Sequence, residues 1–190
     1  MNRSLLTATL LGALTLATAV PAAASPTTKP GYATATTGTF TEYGRHSNAI
    51  TYNSSLVPEG SNAAVAAVYP SDSSYVLLAV HGLVPNRSYG AHAHVNSCGA
   101  SGANAGPHYQ NVVDPKPGTS TDPDYANPRN EIWLDFTTDA QGNAVVSTNV
   151  AWHFREGGAK SVVIHEHHTA TAPGEAGGAG SRLACINMPF

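Results

Sequence analysis

The sequence predicts an all-β domain, an antiparallel β-sandwich or barrel made of many short strands. Three observations predict this class: short stretches that alternate or are rich in β-branched residues, turn residues between them, and few patterns of helical period. The expected strands lie near residues 35–43, 63–69, 75–80, 133–138, 144–151 and 161–165. The turns between them contain Pro58-Glu59-Gly60, Pro85-Asn86-Arg87, Gln141-Gly142-Asn143 and Gly157-Gly158.

The N-terminal residues have the pattern of a secretory signal peptide. Arg3 is followed by an apolar run over residues 5–20, and the small residues Ala22 and Ala24 resemble an A-x-A cleavage site. A transmembrane anchor is the alternative, but the run is short for the ~20 apolar residues that a span needs. We therefore predict a signal peptide over residues 1–25 and a secreted protein without a membrane span.

The remaining chain forms one domain. Residues 26–35, rich in Thr, Pro and Ala, are expected to be a flexible linker, and residues 36–190 a single domain long enough to bury a core. The chain has 9 Lys and Arg against 12 Asp and Glu, so its charge does not favour nucleic acid or an anionic membrane as a partner. The sequence leaves the oligomeric state open.

The two cysteines, Cys98 and Cys185, predict a disulfide, because a secreted chain matures in an oxidising compartment. A bond between them would close a long loop and stabilise the fold by about 4 kcal/mol. Two free thiols or a cysteine metal site are the alternatives.

Two long stretches lack a strand pattern. Residues 98–130 are rich in Gly, Pro, Asp and Asn, and residues 167–181 in Ala, Gly and Thr. Loops of this length in a compact domain commonly carry function. Both begin or end beside His or Cys, so a site is expected where they converge.

The chain has 9 histidines, and two of them, His92 and His94, are two residues apart on an expected strand. Side chains at this spacing leave the same face of a strand, where two imidazoles can chelate a metal ion. A polar strand face without a metal is the alternative. His108 follows a Gly-Pro turn, and a loop histidine of this kind is commonly only solvated.

His165 ends an apolar stretch, and a long loop follows it. His165 and His167 share a face if the strand continues, so spacing alone leaves the ligand open between them. A set of imidazole donors favours copper, and zinc stays an alternative on these grounds.

The segments that carry these histidines resemble, in order, those of the copper/zinc superoxide dismutase family. The resemblance covers residues 75–186 and implies a Greek-key β-sandwich. It implies four copper ligands, and it favours His165 over His167 as the fourth. The matching segments are Gly90-Ala91-His92-Ala93-His94, Ala105-Gly106-Pro107-His108-Tyr109, Val163-Ile164-His165 and Gly180-Ser181-Arg182-Leu183-Ala184-Cys185; the implied ligands are His92, His94, His108 and His165.

The resemblance also implies the roles of other residues. By this resemblance, Arg182 is expected to be the arginine that attracts the superoxide anion beside the metal. His108 is expected to be the ligand that leaves copper and takes up a proton in the reduced state. Cys98 and Cys185 form the disulfide that holds the ligand loop against the last strand.

The chain departs from the family at the zinc site. Two histidines and an aspartate should follow His108, but residues 109–130 contain no histidine and offer only Asp114, Asp122 and Asp124. The chain therefore resembles the copper-only branch, and we expect no zinc. In that branch a carboxylate can hold the histidine that would otherwise bridge the two metals. Glu131 is the candidate here, and an exposed strand residue is the alternative.

The second loop is also short of charge: between His165 and Arg182 its only acids are Glu166 and Glu175, and it has no Lys. We therefore expect weak long-range steering of the anion. Trp133 is expected to pack within its strand, and no role is assigned to His167 or His168.

Taken together, the residues and the resemblance predict a secreted copper-dependent superoxide dismutase. The alternative is an extracellular copper-binding or buffering protein with the same fold and no enzymatic activity. Arg182 favours the enzyme, since a buffer has no use for an arginine that attracts anions to the metal.

Overall fold

Nine β-strands and one 3₁₀ turn make up the regular structure of residues 32–44 and 46–190, the part of the chain that the computed structural model describes. The predicted signal peptide and residues 26–31 of the predicted linker lie outside this part. Within it, no helix has the length and apolar character to cross a membrane. The strands are β1 (Tyr32–Thr41), β2 (Ala49–Thr51), β3 (Asn62–Tyr69), β4 (Ser74–His81), β5 (Ser88–His94), β6 (Phe136–Thr137), β7 (Ala144–Val150), β8 (Ser161–His165) and β9 (Arg182–Asn187), and the 3₁₀ turn is Gly102–Ala105.

The first strand begins earlier than the sequence predicts. β1 pairs with β3 in an unbroken register that starts at Tyr32 opposite Tyr69, and the two rings stack with centroids 4.3 Å apart. Residues 32–35, expected at the end of the linker, therefore belong to the sheet, because pairing along β3 outweighs their small and polar composition. The three-residue strand β2 was not predicted, and β9 was not among the strands expected from the pattern of residues. The strand expected near residues 133–138 is shorter, since β6 contains only Phe136–Thr137.

The strands form a Greek-key sandwich whose two layers join along β1 and β2. One layer has the order β7-β4-β3-β1, and the other has the order β2-β9-β8-β5-β6. β1 and β2 run parallel, and the other strand pairs are antiparallel. The chain crosses between the layers after β1, β2, β4, β6 and β7, and such crossings between layers are typical of a Greek key. The predicted fold class is thus confirmed.

The core lies between the two layers and contains the inward-facing residues of each strand. Their alternation along the strands sets which residues face outward. In β5, Ala91 and Ala93 enter the core, so His92 and His94 lie on the opposite face. The core includes Val65, Ala67, Val76, Leu78, Tyr89, Ala91, Ala93, Val162, Ile164, Leu183 and Ile186.

Two long loops cover the outer face of β5, as the sequence predicts. The predicted disulfide between Cys98 and Cys185 is present, and it ties the first loop to β9 across a sequence separation of 87 residues. The second loop connects β8 to β9, and the amide of Gly174 within it donates to the carbonyl of Thr121 in the first loop at 3.1 Å. The loops therefore converge over His92 and His94.

Candidate metal centre

Four imidazoles meet under the two loops. One nitrogen from each ring lies within 4.8 Å of the corresponding nitrogens of the others. Three of the rings are buried, and His108 is partly buried. The structure thus brings together the four histidines named from the sequence: His92, His94, His108 and His165.

Local geometry explains how three separate segments supply these rings. β5 and β8 are antiparallel neighbours in which Gly90 lies opposite His165. His108 pairs with His94 through an isolated bridge, after a turn at Gly106 with φ of 72°. Only a glycine adopts this conformation without strain, so the predicted Gly-Pro turn does place His108 beside β5.

Hydrogen bonds identify the free nitrogen of two rings. Nδ1 of His94 lies 2.9 Å from the carbonyl oxygen of Gly106, and Nδ1 of His108 lies 2.9 Å from Oε2 of Glu131. Both oxygens only accept, so each Nδ1 carries the hydrogen and each Nε2 keeps its lone pair. Nε2 of His94 lies 3.3 Å from Nε2 of His165, close to the ~3.3 Å expected for two ligands of a tetrahedral ion with bonds of about 2.0 Å.

A chain of two hydrogen bonds identifies the free nitrogen of His92. Its Nε2 lies 2.7 Å from Oγ1 of Thr169, and that oxygen lies 2.6 Å from Oδ1 of Asp135. The single hydroxyl hydrogen goes to the carboxylate, so Oγ1 accepts a hydrogen from Nε2 of His92. Nδ1 of His92 then carries a lone pair, and it is buried with no hydrogen-bond partner among the described residues. A buried and unpartnered lone pair fits a metal ligand.

The electrostatics of the site keep these rings neutral. Burial, with the neighbouring His108, holds the pKa of His92 and of His94 well below the usual value. The same causes lower the pKa of His165 to about 3. Neutral imidazole is the form that binds a metal ion, so His92, His94 and His165 are already in the protonation state that binding requires.

Glu131 lies beside this cluster and is buried, with 2% of its surface exposed. Its carboxylate accepts three N–H groups: from Nδ1 of His108 at 2.9 Å, from Nε1 of Trp133 at 2.8 Å and from Nε2 of Gln110 at 2.8 Å. The alternative of an exposed strand residue is therefore wrong. From the sequence, Trp133 was expected only to pack within its strand, and Gln110 was not among the predicted site residues.

A strand-like alternation accounts for three residues around the site. Ile132, Leu134 and Phe136 enter the core, so the residues that alternate with them face β5 and the loops. The alternating residues are Glu131, Trp133 and Asp135. The pattern of two acids and a tryptophan between buried apolar residues was visible in the sequence, but Asp135 was not singled out.

Arg182 is half-buried at the start of β9, opposite His165 in the β8–β9 ladder. Its Nη1 donates to the carbonyl of Gly102 at 2.8 Å, and a side chain at Gly102 would collide with Arg182. The guanidinium borders an open depression of about 690 Å³. Among the described residues that line it, Arg182 alone carries a charge; the others are Gly102, Ala103, Gly106, Pro107, Gly118 and Thr119.

Two of the three aspartates considered for zinc bind protein groups. Asp114 accepts the Ser120 hydroxyl at 2.6 Å, and Asp122 pairs with Lys116 at 3.2 Å. Within residues 32–44 and 46–190, the four-histidine group is the one set of potential ligands close enough to hold an ion.

The two remaining histidines of the second loop lie outside the group. The His167 side chain is 68% exposed. Nε2 of His168 lies 3.1 Å from the carbonyl oxygen of Phe136, which fixes the loop to β6. The geometry thus places His165, and not His167, in the cluster.

The sequence matches no protein-family model and no curated protein. Among solved structures, the chain is similar to Cu/Zn superoxide dismutase from Brucella abortus, with a TM-score of 0.51 and 21% identity over 82% of this chain and 99% of that chain. A single-site mutant of a SOD-like protein from Bacillus subtilis matches with a TM-score of 0.48 and 18% identity over 68% of this chain and 89% of that chain. The similarity to the Brucella protein shows that this chain has the fold of a Cu/Zn superoxide dismutase.

Proposed function

We propose that this chain, which has the Cu/Zn superoxide dismutase fold and a four-histidine metal site, is a secreted copper-dependent superoxide dismutase. It would convert two superoxide anions and two protons into dioxygen and hydrogen peroxide. The observation that carries the proposal is the arrangement of His92, His94, His108 and His165, which lie close enough together to hold one ion. Arg182 lies opposite His165 in the β8–β9 ladder and adds a positive charge near them.

The donor set supports copper as the metal. Imidazole donors suit both copper and zinc, but zinc has no redox chemistry. When bound, copper would supply alternation between Cu(II) and Cu(I), taking an electron from one superoxide and giving one to the next. In the first loop, Asp114 and Asp122 bind Ser120 and Lys116, which is in keeping with a site that functions without zinc.

The surrounding residues have roles that follow from their contacts. Arg182 would attract the anion and orient it with its fork of N–H groups. Glu131 would keep the hydrogen of His108 on Nδ1 and so keep Nε2 directed at the metal. We assign His108 a second role, the uptake of a proton on Nε2 in the reduced state. The buried carboxylate of Glu131 would stabilise the resulting positive charge.

Secretion is part of the proposal. Residues 1–25 carry the pattern of a signal peptide, and the disulfide between Cys98 and Cys185 is of a kind that persists in oxidising compartments. Extracellular superoxide would then be the substrate.

The test is the dismutation rate of the exported protein loaded with copper alone, followed by pulse radiolysis after removal of free copper. A fast rate proportional to bound copper, without zinc, is the expected result. A negligible rate with copper fully bound would contradict the enzymatic activity. That result would favour the copper-binding or buffering protein, to which the exposed His167 beside the site also adds a potential ligand.

A further inference from the structure

Thr169 connects three parts of the molecule that are distant in sequence. It belongs to the second loop, its hydroxyl contacts His92 of β5 at 2.7 Å, and both its hydroxyl and its amide contact Asp135. The amide donates to Oδ2 of Asp135 at 2.7 Å, and the hydroxyl donates to Oδ1 at 2.6 Å. Asp135 therefore fixes both the position of Thr169 and the direction of its hydroxyl hydrogen.

This arrangement determines how the hydroxyl can meet His92. Its one hydrogen is used by Asp135, so Oγ1 can only accept, and His92 must present a hydrogen on Nε2. A neutral imidazole with its hydrogen on Nε2 has its lone pair on Nδ1. That atom is buried without a partner among the described residues, and the ring belongs to the four-histidine group.

We propose that Thr169 is a positioning residue of the metal centre, whose hydroxyl, held by Asp135, fixes His92 for binding through Nδ1 and thereby couples metal binding to closure of the second loop. The inference rests on the proposed function only as far as the four histidines bind a metal ion. It does not need the ion to be copper or the protein to be an enzyme.

The coupling follows because the contact to His92 belongs to the loop. When the loop opens at Thr169, His92 loses the group that holds its hydrogen on Nε2, and the metal loses an oriented ligand. By linkage, a metal ion that binds the closed state more tightly must stabilise that state by the same factor. The loop stays tied to its surroundings elsewhere, since Arg87 donates to the carbonyl of Glu166 at 3.0 Å and His168 contacts the carbonyl of Phe136. Opening at Thr169 can therefore be local.

The test compares the wild type with Thr169→Val, which keeps the shape and removes the hydroxyl, and with Thr169→Ser, which restores it. Thr171→Val, at an exposed position of the same loop, is the matched control. Zn(II) is the probe ion, because it is not redox-active and leaves NMR spectra sharp. Its affinity is measured by competition with a chelator of known affinity. We expect Thr169→Val to bind Zn(II) about 10–100-fold more weakly, and the Ser variant and the control to stay near the wild type.

Two further readouts separate positioning from a purely structural role. Imidazole ¹⁵N shifts of the metal-free protein should show His92 with its hydrogen on Nε2 in the wild type and Ser variant, and a mixture of tautomers in the Val variant. Zn(II) should slow hydrogen exchange at the amides of Thr169 and Ala170 in the wild type, and this slowing should shrink in the Val variant. Asp135→Asn should behave like the Val variant, because the hydroxyl and the amide of Thr169 donate to separate carboxylate oxygens, and an amide side chain offers only one accepting oxygen.

The outcomes distinguish this inference from the proposed function. Equal Zn(II) affinity, tautomer and exchange in the wild type and the Val variant would overturn the role of Thr169. Absence of Zn(II) and copper binding by the wild type would overturn both proposals. Coupling through Thr169 without any dismutation by the copper-loaded protein would leave the inference in place and contradict only the enzymatic activity.

Discussion

Nδ1 of His108 lies 2.9 Å from Oε2 of Glu131, although 23 residues separate them in the sequence. The two residues lie on neighbouring segments, since Gln110 pairs with Glu131 through an isolated bridge. The carboxylate is buried and accepts hydrogens from Trp133 and Gln110 as well, so its orientation is determined by three donors. A carboxylate held this way can hold the imidazole in turn.

Replacement of Glu131 by Gln is expected to weaken copper binding or dismutation by about 10–100-fold. The amide has one accepting oxygen where the carboxylate has two, so at least one of the three donors loses its partner. Copper content after dialysis and the rate by pulse radiolysis measure the effect. Glu156→Gln, at an exposed position, is the control and should match the wild type. A Glu131→Gln variant with full copper and full rate would contradict the role given to Glu131.

Replacement of Arg182 by Ala is expected to slow dismutation by about tenfold or more, while copper stays bound. The rate falls because a focused positive charge raises the association rate of an anion by ~10–10³. The rate of the wild type should fall with added salt, and that dependence should be weaker in the variant. Arg129→Ala removes the same charge at an exposed position and is the matched control. The role of Arg182 is wrong if its variant keeps the full rate at both low and high salt.

The choice of His165 over His167 can be tested with a matched pair of substitutions. His165→Gln removes a buried member of the cluster, whereas His167→Gln changes a side chain that is 68% exposed. We expect the first variant to lose tight copper binding and the second to retain it, with copper affinity measured by competition with a chelator. Loss of copper in the second variant and retention in the first would reverse the assignment.

The stability of the metal-free protein should depend on pH through the buried histidines. The pKa of His165 is lowered to about 3, so between that pH and ~6.5 the unfolded chain binds a proton on this ring and the folded chain does not. The free energy of unfolding therefore falls as pH falls through this window, by ~1.4 kcal/mol per pH unit for this group. His92 and His94 act in the same direction, because burial lowers their pKa values too.

Urea denaturation of the metal-free wild type and of His165→Gln, between about pH 4.5 and 6, measures this slope. The variant lacks one titrating ring, so its stability should decline less steeply by about 1 kcal/mol per pH unit. Equal slopes would show that His165 gains its proton equally well in the folded state.

Several features were predictable because they depend on local sequence. Alternation along β3, β4 and β7 predicted these strands within one or two residues, and Gly106-Pro107 predicted the turn before His108. β2 could not be predicted, because its three residues gain their strand conformation only by lying between β1 and β9. The early start of β1 likewise depends on pairing with β3, which its own composition does not reveal.

Local patterns were enough to predict the all-β class, the two cysteines able to pair, and the common face of His92 and His94. These properties follow from strand periodicity and residue chemistry, which act over a few residues. Three other features become visible only in the packed fold: His165 joins the cluster, Glu131 is buried against His108, and Thr169 contacts His92 across 77 residues. The reason is physical: such contacts depend on how two layers and two loops pack against each other, and no local pattern contains that arrangement.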